Sequence, residues 1–291
     1  MREAEEIHSI TLEERAAVDR LYGSYGFGDC AHAFPSLFLW QDEMGLSLET
    51  DRSCYTVRSR WRGEGAWFFP VGDDAGKIRC LEKLLERGLR RLCYMTEADV
   101  RFLESRFPGL FSVREAPEDS EYLYDRREMI GMNGRRFVKI RNLYRRLARE
   151  HTVAAEPITE SSLPLAAEIT EAWRPESSPE DGITDARFMR RMYASWTALG
   201  MSGVILRVDG DPWAVAAGYP LSGGTFDCCL MKAKRNMAGV TEHLRASLAG
   251  MLPGSVEQVN LEEDMGLDGL RLMKKRFRPC GYIRMFTGDR S

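Results

Sequence analysis

The sequence is short of histidine, of paired cysteines, of long apolar runs and of charge of one sign. Each shortage removes a class of function. Only 4 of the 291 residues are histidine. His8, His32, His151 and His243 show no metal-ligand spacing, so no metal site is expected. The 7 cysteines are odd in number and include no C-x-x-C pair. Most lie inside apolar stretches, which points to reduced, buried thiols in a cytoplasmic protein and against a disulfide framework. The longest mainly apolar stretch, Pro212 to Leu221, falls well short of the ~18 residues that suggest a transmembrane helix. The opening Met1-Arg-Glu-Ala-Glu-Glu-Ile lacks the apolar core of a secretory signal, so none is expected. The 41 Lys+Arg nearly cancel the 44 Asp+Glu, leaving −3. That balance excludes a wholly basic nucleic-acid packer and an acidic solvating tail.

What is present is enough for a full core. Hydrophobic residues make up 44% and charged residues 29%, a globular composition. At roughly 100–200 residues per domain the length suggests two domains. The first helix starts at Thr11, where Thr11-x-x-Glu14 forms a capping box. Phe34 to Trp40 reads as a short buried helix. Strand-like runs follow at 46–49, 54–58 and 66–69, then a helix at 78–89, a strand at 91–95, a helix capped by Thr96 and a strand at 111–114. The second half opens with a strand at 121–124 and a basic helical stretch at 134–150. Helices at 162–173 and 185–198 come next, then strands at 204–208, 213–219 and 225–230. A helix at 240–251, a strand at 257–261, a helix at 267–275 and a strand at 282–286 finish it.

Each half therefore runs helix, helix, three strands, helix, strand, helix, strand. Three consecutive strands make an antiparallel meander, and the strand–helix–strand after it favours a parallel crossover. This is the element order of GNAT-type acyltransferases. The expected fold is α+β, two tandem GNAT-like domains, each a mixed sheet flanked by helices. The expected limits are 1–120, without a donor site, and 121–291, carrying the site.

Charge is not spread evenly. Between Arg126 and Glu150 stand nine basic residues against two acids, a surface for phosphate or simply a solvated basic helix. The turn after the third strand of each half differs in the same sense. In a GNAT fold that turn offers backbone N–H groups and a helix N-terminus to the donor's pyrophosphate. The first half has Val71-Gly-Asp-Asp-Ala-Gly76, whose acids repel phosphate. The second has Lys232-Ala-Lys-Arg-Asn-Met-Ala-Gly239, rich in cations. The C-terminal block sets acids 257–268 ahead of bases 271–278, a polarity that suits a helix dipole. Dipole logic does not call for Asn260, Gly266 or the Gly269-Leu270-Arg271 triplet.

Asn260-Leu-Glu-x-Asp264-x-Gly266-x-x-Gly269-Leu270-Arg271-x-x-Lys274-x-x-Phe277-x-Pro279 resembles the signature of the bacterial phosphatidylglycerol lysyltransferase C-terminal domain family. Tyr122-Leu-Tyr124 followed by Gly134-Arg-Arg-Phe-Val-Lys139-Ile-Arg141-Asn142 is similar to a second segment of that family. Trp40 and Trp173 also fit. The resemblance spans nearly the whole chain and implies a tandem GNAT-type fold related to the Fem peptidyltransferases. Members fused to a membrane domain transfer an aminoacyl group from tRNA to phosphatidylglycerol. One departure stands out: Met231 replaces the glutamate usual in the Glu-Lys-Ala after the third strand.

On this reading an amine or hydroxyl acceptor, such as a phospholipid headgroup, attacks an acyl ester held on the second domain. Asp264 and Asp268 are expected to take the acceptor's proton or orient it, with Arg271 neutralising the developing oxyanion. Lys139, Arg141, Asn142, Lys232, Lys234, Arg235, Gly239 and Lys274 are expected at the donor phosphates. Trp173, Asn260 and Tyr282 are expected at the acceptor pocket. The implied co-substrate is aminoacyl-tRNA or acyl-CoA, with no covalently bound cofactor and a peripheral contact with anionic membrane. The alternative is a degenerate GNAT-like protein that binds a phosphate-bearing ligand without turning it over.

Overall fold

The computed structural model describes residues 9–172, 185–233 and 237–291. The chain divides into two compact units, Met1–Ser120 with Ile283–Ser291, and Glu121–Tyr282.

The first unit begins with α1 (Arg15–Tyr25) and α2 (Phe34–Met44). The expected capping box is present: Glu14 Oε2 accepts the Thr11 N–H at 2.7 Å. β1 (Leu46–Thr50), β2 (Cys54–Ser59) and β3 (Ala66–Phe68) form the antiparallel meander. A two-residue strand, β4 (Val71–Gly72), returns to β2. Then come α3 (Asp74–Glu86), β5 (Arg91–Met95), α4 (Glu97–Arg106) and β6 (Phe111–Glu115). β3 and β5 are parallel, as a strand–helix–strand crossover requires. Trp67, Phe69, Leu81, Leu84, Leu92, Met95 and Leu103 pack the core between this sheet and its helices.

The second unit contains β7 (Glu121–Asp125), α5 (Arg126–Gly131), α6 (Val138–Glu150), β8 (Val153–Pro157), α7 (Leu163–Ala172), α8 (Ala186–Ala194) and α9 (Trp196–Leu199). β9 (Ser202–Val208), β10 (Asp211–Pro220) and β11 (Thr225–Ala233) are its meander. α10 (Val240–Met251), β12 (Gln258–Asn260), α11 (Asp268–Arg276) and β13 (Gly281–Ile283) follow. Its sheet order is β13-β7-β12-β11-β10-β9-β8. The core lies between β7, β9–β12 and helices α5, α6 and α10.

The last strand, β14 (Phe286–Arg290), lies between β5 and β6 in the first sheet, antiparallel to both. The strand that follows β6, β7, lies between β12 and β13 in the second. The first sheet is thus completed by the last strand of the chain. The expected assignment of 121–291 to a single domain is corrected accordingly, since residues 283–291 belong with the first unit. Alternation of apolar residues identifies a strand but carries no information about its partner.

One irregularity shapes the second sheet. Ala217 faces Leu230, but Tyr219 faces Asp227, so two residues of β11, Cys228 and Cys229, oppose Gly218 alone. This is a β-bulge, and Gly218 is forced there: a Cβ would stand 1.7 Å from the Asp227 carbonyl oxygen. Gly218→Ala is expected to destabilise the protein by about 3 kcal/mol or more, the upper end of overpacking. Urea unfolding midpoints of the two proteins check it.

Candidate active site

β11 and β12 pair over only three positions, Thr225–Gln258, Phe226–Val259 and Asp227–Asn260. β11 then continues along β10 to Ala233, while the chain beyond Asn260 turns away. The two parallel strands therefore part at Asp227. Asp227 is fully buried, and no hydrogen bond of normal geometry reaches either carboxylate oxygen among the described residues. Burial pushes its pKa up to about 8; Glu263 adds to the rise, and the Tyr219 hydroxyl and Lys274 oppose it. Glu262 brings a second carboxylate oxygen within 4.8 Å of Asp227. Burial, then Asp227, Glu263 and Glu121, hold the Glu262 pKa well above its usual range. Two carboxyls so placed titrate as a pair and retain a proton near neutral pH.

The backbone presenting Glu262 is unusual. Glu262 (φ 58°), Met265 (φ 53°) and Gly266 (φ 77°) are all left-handed, a conformation that non-glycine residues hold only when their surroundings impose it. The C-terminal signature supplies that restraint. Asn260 Oδ1 accepts the Glu262 N–H at 2.8 Å, and Asn260 Nδ2 donates to Glu121. Asp264 Oδ1 accepts the Gly266 N–H at 2.9 Å and Arg271 Nη2 at 3.1 Å. Asp264 Oδ2 accepts the Tyr122 hydroxyl at 2.6 Å and Arg271 Nε at 3.0 Å. The Lys274 ammonium donates to the Leu261 and Glu263 carbonyls. Tyr124 donates to the Lys274 carbonyl at 2.7 Å.

These contacts correct several expectations. Asp264 is 1% exposed, and both its oxygens are occupied. Burial opposes its charge, yet hydrogen bonds from Arg271, Tyr122 and Gly266 hold its pKa below the usual range. It is the wrong group to take a proton. Asp268 projects into solvent from the first turn of α11, and its contact is Arg271 at 3.3 Å. Lys274, buried and committed to carbonyls, does not face a donor phosphate. Arg271 and Asn260 hold the loop. Arg271→Ala is expected to lower the thermal midpoint by several degrees and loosen 261–267, since Asp264 loses its bidentate partner. Amide exchange at Glu262 and Gly266 measures it.

The structure places the remaining candidates as follows. Lys232 pairs with Asp185. Arg141 donates to the carbonyls of Met132 and Gly134 and so closes the α5–α6 turn. Lys139 and Asn142 are exposed on α6. Tyr282 is half-exposed, edge-on to Tyr122 at 5.0 Å. Gly239 (φ 99°) caps α10, and its missing side chain lets α10 close on α6: a Cβ would stand 2.6 Å from the Leu143 carbonyl oxygen. No side chain caps α10, whereas in α3 Asp73 accepts the Gly76 N–H at 2.6 Å. Trp173, Lys234 and Arg235 lie outside the described residues.

In the first unit β3 and β5 part in the same way, after the Phe69 N–H donates to Cys93 and Pro70 ends the ladder. A pocket opens there, lined by Asp29, His32, Phe69, Lys77 and Asp99 among others. Sequence reasoning missed it. His32 Nδ1 lies 2.7 Å from Asp29 and Nε2 3.1 Å from the Phe69 carbonyl. Both partners are acceptors, so the ring is a charged imidazolium. Burial opposes that charge, but Asp29 outweighs it and raises the His32 pKa, while Asp29 itself is lowered. The His32 contribution to stability is full below its unfolded pKa of about 6.5 and is lost as pH rises through the higher folded value. The Asp29 contribution is full above about pH 4 and is lost as pH falls through the depressed value. Thermal midpoints of the wild type and His32→Gln should therefore differ most between these limits and converge at alkaline pH.

Residues 23–286 match the sequence profile described as phosphatidylglycerol lysyltransferase, C-terminal. The chain belongs to that family. A conserved protein of unknown function from Bacteroides thetaiotaomicron VPI-5482 is similar to this lysyltransferase-family chain at TM-score 0.86 and 23% identity, covering 98% of this chain and 99% of that one. L-PGS from Bacillus licheniformis is similar at TM-score 0.63 and 12% identity, covering 99% and 94%. FemX is similar at TM-score 0.60 and 10% identity, covering 98% and 97%. These likenesses establish a shared fold. No curated protein matches the chain. Within the lysyltransferase C-terminal family, then, this member is an α+β protein of two mixed sheets flanked by helices. The family points to acyl transfer. Among the described residues no helix is long and apolar enough to cross a membrane.

Proposed function

We propose that the second unit transfers an aminoacyl group from aminoacyl-tRNA, or an acyl group from acyl-CoA, to an amine or hydroxyl acceptor such as a phospholipid headgroup. The observation that carries this reading is the pair formed by buried Asp227 and half-buried Glu262 at the parting of β11 and β12. The acceptor's nitrogen or oxygen attacks the acyl carbonyl, and its proton passes to the carboxylate of the pair. Collapse breaks the bond to the donor's oxygen or sulfur, which takes the proton back. The bulge at Cys228–Cys229 interrupts the ladder beside Asp227, a place where backbone N–H groups would suit a developing oxyanion. The uncapped start of α10, with Lys139 on α6, suits donor phosphate. Asn260, Asp264, Arg271 and Lys274 are positioning residues that hold the left-handed loop.

Purified protein mixed with charged tRNA or acyl-CoA, with phosphatidylglycerol vesicles or soluble amines as acceptors, tests this. Transfer of label from one donor class supports it; saturable donor binding without product across the panel overturns it. That second outcome is what a degenerate binding protein gives. Met231, half-buried against the core where a glutamate is usual, favours that reading. If the basic helix docks to anionic membrane, vesicle association weakens as salt is added.

A further inference from the structure

Two cysteines of the first unit meet where α3 packs on β2, and the transfer reaction uses neither. Cys54 is the first residue of β2 and is 3% exposed. It pairs with Gly72 of β4, whose missing side chain lets the strands close. A Cβ there would stand 2.2 Å from the Ser53 carbonyl oxygen and 2.7 Å from the Cys54 Cα. The Asp51 carboxylate fixes the turn ahead of Cys54, accepting the Ser53 N–H at 2.7 Å and the Cys54 N–H at 2.9 Å.

α3 lies against this corner. Gly76 faces Ser53, since a Cβ would stand 2.9 Å from the Ser53 carbonyl oxygen. Arg79 Nη2 donates to the Ser53 hydroxyl at 2.7 Å. Residues four apart share a helix face, so Cys80 continues the stripe that Gly76 starts. Its partly exposed thiol is a hydrogen-bond neighbour of the buried Cys54 thiol. That contact, and then burial, push the Cys54 thiol far above its ordinary pKa. Cys54 is a protonated thiol held against a second thiol that solvent can reach, and both are free.

We propose that Cys54 and Cys80 form a reversible disulfide that pins α3 to β2 when the protein meets hydrogen peroxide. The Cys80 sulfur attacks a peroxide oxygen, the O–O bond breaks, and Cys80 becomes a sulfenic acid as water leaves. The Cys54 sulfur then attacks the Cys80 sulfur and the S–O bond breaks. The Cys54 proton leaves with the hydroxyl as a second water. The two thiols lose two electrons and the peroxide is reduced by the same two. The bridge closes the loop 54–80, which carries β3, β4 and the first turns of α3. That closure removes freedom from the unfolded chain and stabilises the first unit. The partly exposed sulfur leaves the bridge open to reduction. The pair stands apart from Asp227 and Glu262, so the proposal does not rest on the transfer reaction.

Full-length protein treated with hydrogen peroxide, digested with trypsin without reductant and weighed by mass spectrometry, tests this. Peptides 53–58 and 80–83 should appear joined, lighter by two hydrogens than their sum, and separate again with dithiothreitol. The oxidised protein should unfold several degrees above its reduced form. Cys80→Ser and Cys54→Ala should each abolish that rise, two separate substitutions guarding against one that misfolds. No joined peptide from the wild type, or Cys80 carried on to sulfinic acid with Cys54 still free, overturns the proposal. So does an equal midpoint in both forms, or a rise of the same size in either folded variant.

Discussion

A chain ending at Ile283 should lose the first unit and keep the second. Among the described residues, β14 is the only strand partner of β6 and one of the two partners of β5. Removing it opens the middle of the first sheet. Met285 and Thr287 are buried, and Met285 alone is worth about 2–5 kcal/mol. Arg284 also goes, and with it hydrogen bonds at 2.9 and 3.0 Å to Glu115 and at 2.7 Å to Glu97. The combined loss is comparable with the roughly 5–15 kcal/mol that holds a domain together. Hydrogen exchange by segment reads the outcome. Protection at 46–59 and 91–115 should fall to that of an unfolded chain, while 202–233 stays protected. Uniform protection across both regions would mean that β14 is dispensable. Thr287→Pro, which removes a ladder donor from a central strand, should reproduce the effect more mildly.

Asp227→Asn should separate stability from activity. The Asp227 pKa is raised in the folded state, so the folded protein holds a proton that the unfolded chain releases above about pH 4. Stability is full below that pH and is lost as pH rises through the folded value of about 8. An asparagine of the same shape does not ionise, so the variant should unfold at higher temperature than the wild type at pH 7 to 9. The two should converge near pH 4. Transfer should fall by about 10²–10⁴-fold, the usual contribution of a positioned acid–base group. A group kept at the expense of stability is the mark of a working site. A variant that is both less stable and fully active would make Asp227 a structural residue.

Much of this molecule is legible in its sequence. The capping box at Thr11, the meander in each half and the crossover helices follow from local patterning, and the structure has them. The C-terminal signature is legible as a set but not as chemistry. Asn260, Asp264 and Arg271 look like a reactive cluster until the left-handed backbone at Glu262 and Met265 shows what they restrain, and φ is not written in side-chain spacing. Asp227 left one trace, a lone acid inside the apolar run from Thr225 to Leu230. Its meaning depends on the bulge opposite Gly218 and on where β12 ends, both of which are pairing facts. The insertion of β14 between β5 and β6 is of the same kind.

On the proposed function, Asp227 and Glu262 keep a proton between them near neutral pH, ready for exchange with a substrate. Carbon-detected NMR of protein labelled at aspartate and glutamate carboxyls measures this directly. The wild type should show a carboxyl resonance that titrates near pH 8 and disappears in Asp227→Asn, with the Glu262 signal shifting in response. Carboxyl resonances that all finish titrating below about pH 5, the ordinary range for these groups, would contradict it.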